Sequence, residues 1–297
     1  MSPRAPDTQR RRRRSALACA SVMVLGLLLA PSALAGIFTP ESGGSPNADD
    51  ISALYEITLY IAIVIFVLVE GTLLWSLIRY RAGGPNDREP AQIRGNTPLE
   101  IGWTVGAALI LVVLTVVTFL YLGDIEKPPA TGPDGFQAAK GVKFASIDQP
   151  APPGGGELNI AVNGQQYLWR YDYSAYGKGQ LFDYYEMVVP INTTVTLDIT
   201  SQDVAHSWWI PELGGKADAI PGHTNQTWFK ISEPGVYLGQ CAELCGANHA
   251  DMRARVRALP VDEYEAWATR QRAGIAESKK LLAASREEQA AAAEREN

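Results

Sequence analysis

Cysteine and histidine are scarce, with three of each in 297 residues. Cys19 falls in an N-terminal apolar run, which leaves only Cys241 and Cys245 for the remainder of the chain. A structural disulfide framework is therefore excluded. No Cys-x-x-Cys-His occurs, so the chain carries no c-type haem of its own. Charge is unevenly spread. Residues 1–35 hold six Arg and one Asp, and without them the formal charge moves from −6 to −11. A remainder this acidic argues against nucleic acid as a partner and suits a basic protein.

The few soft ligands that exist are concentrated. Gly239-Gln240-Cys241-Ala242-Glu243-Leu244-Cys245-Gly246-Ala247-Asn248-His249-Ala250-Asp251-Met252 puts two thiols, an imidazole and a thioether in one short segment, and His206 stands upstream. Thiolate and thioether favour copper, and imidazole suits copper or zinc. A blue-copper site uses one Cys, whereas two thiolates can bridge two metals. Two bridging sulfurs, one His per metal and Met252 as a weak extra ligand describe a binuclear copper centre. Three other readings are weaker. A disulfide leaves His206, His249 and Met252 unexplained. A Cys2His2 zinc site has no use for Met252. A thioredoxin-like copper chaperone also pairs Cys-x3-Cys with a distant His, but there the His follows at a long interval.

Three long apolar runs occupy the first 122 residues. Arg10–Arg14, Ala16–Leu29 and Ala33-Leu34-Ala35 read as a signal peptide over 1–35. A solvated lead-in, 36–53, is expected next. Residues 54–78 are long enough to cross about 30 Å of hydrocarbon. Glu70 interrupts this span, and a packing contact with a larger subunit explains it better than a proton relay. Arg79, Arg81, Arg88 and Arg94 make the 79–98 loop cytoplasmic by the positive-inside rule. A second span with its flanks covers 99–124, so both ends of the hairpin face outward.

Residues 125–156, rich in Pro and Gly, are predicted to be a semi-extended linker. From Glu157 the pattern becomes strand-like. Leu158–Val162, Val195–Ile199 and Met252–Ala258 alternate, the last with apolar residues on one face and three Arg on the other. The copper loop then joins two strands of a domain expected over 157–262. A charged, solvent-facing helical tail is expected over 263–297, with no chemistry of its own.

Cys-x3-Cys-x3-His-x2-Met after Asp203-Val204-Ala205-His206 resembles the CuA loop of cytochrome c oxidase subunit II. Leu213–Gln226 and Asn96–Trp103 are similar to that family as well. The resemblance implies a membrane-anchored all-β chain, a two-helix transmembrane hairpin followed by a cupredoxin-like Greek-key β-sandwich. It implies a bacterial plasma-membrane location with the copper domain extracytoplasmic. His206, Cys241, Cys245, His249 and Met252 carry over as side-chain copper ligands. Glu243 carries over as a backbone-carbonyl ligand whose side chain reaches a magnesium at the border with subunit I. Glu100 carries over as the mouth of a proton channel. Trp169 belongs to the aromatic strip beside the copper, and Tyr167 stands where the family receives electrons through a tryptophan.

The function implied is that of the electron-accepting subunit of a proton-pumping haem–copper oxidase. Its partners would be subunit I, which holds haem and copper, the other oxidase subunits, the membrane, and cytochrome c or a tethered cytochrome c domain. The copper subunit of a nitric oxide reductase is the nearest rival, and a copper chaperone or plain binding module the rival of another class. A quinol oxidase subunit lacks these ligands.

Overall fold

Two apolar helices lead into two five-stranded sheets. The structure, a computed structural model, describes residues 38–81, 91–137, 156–184 and 186–296. The signal peptide, residues 82–90 of the 79–98 loop and most of the 125–156 linker lie outside the described residues. The chain divides into two units, Met1–Glu41 and Ser42–Asn297, and the second holds every element below.

Helix α1 spans Pro46–Arg79 and α2 spans Thr97–Glu126. Both are long and apolar enough to cross a membrane. The hydroxyls of Thr58, Thr72, Thr104 and Thr115 donate to the carbonyls four residues back, which satisfies them without water. At the start of α2 the Asn96 side chain accepts from the Leu99 amide at 3.3 Å, and the Glu100 carboxylate accepts from the Asn96 amide at 3.2 Å. Two otherwise unpaired donors are thereby met.

The lead-in differs from the expectation of a solvated segment. Pro46 lacks an N–H and presets φ, so it opens α1 well before residue 54. Ser45, Asn47 and Ala48 are buried. The reason is a polar docking. Asn47 Nδ2 donates to the Trp228 carbonyl at 2.9 Å, and the Lys230 amide donates to Ser45 Oγ at 3.0 Å.

The strands are β1 (Leu158–Gln165), β2 (Leu168–Tyr173), β3 (Phe182–Tyr184), β4 (Met187–Pro190), β5 (Thr194–Ser201), β6 (His206–Trp209), β7 (Ala217–Ala219), β8 (Asn225–Lys230), β9 (Gly235–Cys241) and β10 (Arg253–Leu259). One sheet has the order β3-β2-β1-β5-β8 and the other β4-β10-β9-β6-β7. β1 pairs with β5, and β4 with β10, in parallel; the other strand pairs within the two sheets are antiparallel. Leu158, Ile160 and Val162 of β1, Val195, Leu197 and Ile199 of β5, and Ala254, Val256 and Ala258 of β10 fill the space between. Each fully buried Val, Leu or Ile contributes about 1.5–3 kcal/mol. This is the membrane-anchored β-sandwich that the family resemblance implied, built on the strands that the alternating segments marked.

An edge strand exposes unpaired backbone groups. Here the hairpin covers the β8 edge: Trp228 Nε1 donates to the Ile125 carbonyl at 2.9 Å, and Lys230 Nζ to the Ala130 carbonyl at 2.8 Å. The chain after α2 is likewise pinned rather than free. Thr194 Oγ1 donates to the Pro129 carbonyl at 2.7 Å, the Gly132 amide to the Asn192 carbonyl at 2.9 Å, and the Phe136 amide to Thr193 Oγ1 at 2.8 Å.

The tail also departs from expectation. Helix α3 spans Val261–Glu296, and its first turns are core. Tyr264, Trp267, Ala268 and Ile275 are buried, a helical stripe that closes one end of the sandwich. Trp267 packs on Tyr173 with ring centroids 5.4 Å apart, and Phe136 meets Tyr264 edge-on at 5.3 Å. Beyond Ile275 the described residues of α3 face solvent.

Candidate metal centre

β6 and β9 are neighbours in one sheet, with Trp208 opposite Cys241. That pairing brings His206, at the start of β6, beside Cys241, at the end of β9. The Cys241 amide donates to the Met252 carbonyl at 2.8 Å, and the Ala242 amide to the Ser207 carbonyl at 2.9 Å. These bonds close the base of the 242–251 loop, and Arg253 opposite Gln240 starts β10 directly afterwards. Ladder register therefore fixes both ends of the ligand loop.

Within it the two sulfurs lie 3.9 Å apart. A disulfide needs about 2 Å, and both cysteines are free. His206 Nδ1 is 3.8 Å from Cys241 Sγ, and His249 Nδ1 is 3.6 Å from Cys245 Sγ. Met252 Sδ is 3.9 Å from Cys245 Sγ, and the Glu243 carbonyl oxygen is 3.2 Å from Cys241 Sγ. The ligand atoms of His206, Cys241 and Cys245 all fall within 4.8 Å of one another. Each sulfur thus has its own imidazole nitrogen, and the thioether and carbonyl flank opposite thiols. This donor set fits copper, since thiolate and thioether are soft and imidazole suits it.

The pocket is dry. His206 and Met252 are fully buried, and Cys241 and Cys245 nearly so. Burial pushes the Cys245 thiol up to about 11, and neighbouring Cys241 adds to the rise. A bound cation reverses this and deprotonates a coordinating thiol.

Sequence reasoning gave Asp203 and Gln166 no role, and the structure puts both against the ligands. Asp203 Oδ1 lies 2.8 Å from His206 Nε2. Burial works to raise the Asp203 pKa, but the Gln166 amide, the His206 ring and the Val204 amide overcome it and bring it down to about 2. The carboxylate is therefore ionised and accepts from Nε2–H. The other ring nitrogen, Nδ1, is the one that faces Cys241. Position three before a ligand His was the available signal for Asp203. Gln166 had none, because its contact spans 79 residues.

Two family models match the chain. Residues 178–259 match the periplasmic domain of cytochrome c oxidase subunit II, and residues 33–120 match its transmembrane domain. The subunit 2 of Cereibacter sphaeroides is 32% identical over 283 residues, covering 87% of this chain and 92% of that one. The chain belongs to the cytochrome c oxidase subunit II family. The corresponding subunit of Alkalihalophilus pseudofirmus is 36% identical over 238 residues, 80% of this chain and 63% of that one. A solved periplasmic domain of subunit II from Bradyrhizobium japonicum is 34% identical, covering 40% of this chain and 95% of that one at a TM-score of 0.38. Membership makes this a subunit of a haem–copper oxidase complex, anchored in a membrane with an extracytoplasmic copper domain.

The remaining candidates from the sequence lie apart. Trp169 is fully buried and meets the His206 ring edge-on, with centroids 5.9 Å apart. Gly164 makes that approach possible, because a Cβ there would stand 3.0 Å from His206 Cδ2 and 3.1 Å from Trp169. Trp169 thus stands behind the ligand and not on the surface. Tyr167 is half-buried on the β1–β2 turn, against Gly246 of the ligand loop. Glu100 is exposed at the other end of the hairpin, at the start of α2.

Proposed function

We propose that this chain is the electron-accepting subunit of a proton-pumping cytochrome c oxidase. Its copper centre is binuclear and held by His206, Cys241, Cys245, His249, Met252 and the Glu243 carbonyl. One observation carries the reading: two unjoined sulfurs face each other, each with an imidazole nitrogen at its side. When bound, the copper pair takes up and releases one electron shared across both metals.

The rest is the work of the chain's own groups. Asp203 holds the His206 ring by its outer nitrogen, and Trp169 braces the same ring. The buried sulfurs keep water out, and register across β6, β9 and β10 holds both ends of the loop, so the donor atoms move little when charge changes. Tyr167 is where electrons arrive, from cytochrome c or a tethered cytochrome c domain, and they leave toward haem and copper in subunit I for reduction of oxygen to water. The exposed Glu243 side chain would reach a magnesium at that border. Glu100 would collect protons at the cytoplasmic mouth of a channel, and the same carboxylate caps α2. The domain division would be leader 1–35, lead-in 36–53, hairpin 54–124 with its cytoplasmic loop, connection 125–156, copper domain 157–262 and tail 263–297. Residues 46–53 lengthen the first helix, and the first turns of the tail complete the copper domain's core.

The test is electron paramagnetic resonance on the copper-loaded complex together with oxygen uptake. Hyperfine structure from two equivalent copper nuclei and sustained oxygen reduction are expected. Hyperfine structure from one nucleus would return the site to a mononuclear or delivery role.

A further inference from the structure

The β1–β2 turn touches both halves of the ligand set through one exposed residue. The Gln166 amide donates to Asp203 Oδ2 at 2.7 Å, and Asp203 in turn holds His206. The Gln166 side chain reaches the other way, its Nε2 donating to the Cys245 carbonyl at 2.7 Å. Among the described residues, Gln166 alone bonds to both the carboxylate behind one ligand and the backbone of another. The turn also sits directly on the loop. Gly246 has φ +127°, and a Cβ there would stand 2.5 Å from the Tyr167 hydroxyl and 2.9 Å from Gln166 Nε2. Nothing larger than hydrogen fits between turn and loop.

We infer that Gln166 is a positioning residue for the copper centre: it ties the His206 half of the site to the Cys245 half and so fixes the separation of the two sulfurs. This rests on the copper reading above. Cys245 sits on a loop of turns and bends, and outside Gln166 its carbonyl has no partner among the described hydrogen bonds. His206 sits at the start of β6, in the sheet and outside that loop. Without the strut, the Cys245 peptide is free to rotate, and with it the sulfur and the turn that carries His249, while Met252 stays held at the loop's end by the Cys241 amide. Groups that orient ligands without touching the metal set its retention and electronics. Gln166 is itself exposed, so replacing it removes the strut without opening the core.

The experiment uses the full chain in detergent, loaded with copper, as wild type, Gln166→Ala and Gln166→Glu. Glutamate keeps the shape but offers the Cys245 carbonyl an oxygen in place of the donor. Wild type is measured first, and failure to show two equivalent copper nuclei there refutes the copper reading and not the strut. Given that signature, both variants should lose copper to excess chelator about 10–100-fold faster. Their optical bands and reduction potential should also shift, with less delocalised hyperfine structure. The thermal unfolding of the copper-free chain should stay as in wild type. Unchanged copper release and spectra in both variants would overturn the inference. An equal destabilisation of the copper-free chain would also overturn it, by assigning the bonds to folding alone.

Discussion

His206 Nε2 lies 2.8 Å from Asp203 Oδ1, and the ring is completely buried. The pair sets which nitrogen of His206 faces the sulfurs. Asp203→Ala should weaken copper retention by about 10–100-fold, measured by chelator competition. Asp203→Asn should cost less, because its carbonyl can still accept from Nε2–H. The carboxylate also links stability to pH. Its folded pKa, about 2, lies below the ordinary 3.8. Its contribution is therefore complete above about pH 4 and is lost as pH falls from there through 2. Acid unfolding of the copper-free chain should show wild type ahead of Asp203→Asn near neutral pH, with the gap closing toward pH 2.

The ligands separate by role. Cys241→Ser and Cys245→Ser should each abolish the binuclear signature, since one sulfur cannot bridge as two do. Met252→Leu conserves volume in a fully buried position and should fold with a cost below about 1.5 kcal/mol. Copper should stay bound while its potential moves, because a weak thioether tunes the metal more than it holds it. A shift on the order of 100 mV corresponds to about 2.3 kcal/mol. Spectroelectrochemistry on the complex reads it directly.

Trp267, expected in a solvent-facing tail, packs against Tyr173 and Tyr264. Trp267→Ala should destabilise the domain by roughly 3–5 kcal/mol. Truncation after Lys280 removes only exposed turns and should leave the melting temperature within a degree or two. Denaturation of the two variants side by side separates these outcomes.

The same helix shows where sequence reading stops. Period-two alternation marked β1, β5 and β10 because one face of each is core. Ligand spacing marked the copper loop because chemistry restricts which residues serve. Tyr264, Trp267 and Ile275 carry a helical stripe as well, but Ala, Glu and Lys around them masked it in composition. Ser45 and Asn47 read as solvated because polar residues usually are, and only their distant partners on β8 explain their burial. Gln166 and Cys245 meet across 79 residues, a side-chain amide on a backbone carbonyl. No local pattern encodes such a contact.

Glu100 serves two readings that one pair of variants divides. As a cap it accepts from the Asn96 amide at 3.2 Å. Glu100→Gln keeps an acceptor and removes the charge, whereas Glu100→Ala removes both. A proton-collecting role predicts that both variants slow steady-state oxygen reduction with the copper spectrum intact. A capping role alone predicts normal turnover in Glu100→Gln and a stability loss of about 0.5–2 kcal/mol in Glu100→Ala. Oxygen uptake beside thermal unfolding decides between them.

By the resemblance, Tyr167 takes the place of the family's tryptophan, and it lies on a turn pressed against Cys245 and Gly246. A tyrosine ring there can still give a donor van der Waals contact close to the copper loop. The charge around it is a different matter. Between Tyr167 and Pro190 the acids are Asp172, Asp183 and Glu186. Arg170 Nε pairs with Asp172 at 2.7 Å, and Arg255 and Arg257 both pair with Glu186 at 3.0 Å. Burial raises the pKa of Asp183, with the Tyr184 amide working against it. Each of these three carboxylates is thus paired or partly withdrawn, so this segment offers a basic donor little free negative charge. Steering by charge speeds association and fades with salt. Turnover with added basic, soluble cytochrome c should therefore be slow and nearly independent of ionic strength. A tethered cytochrome c domain, held near by its linkage, needs no such field. Oxidase activity is measured with soluble cytochrome c across ionic strength, for wild type, Tyr167→Trp and Arg170→Gln. Arg170→Gln frees Asp172 and should raise the rate at low salt, and Tyr167→Trp should raise it at every salt concentration. Fast wild-type turnover that falls steeply with salt, unchanged by either substitution, would show that soluble donors are steered here by other charges.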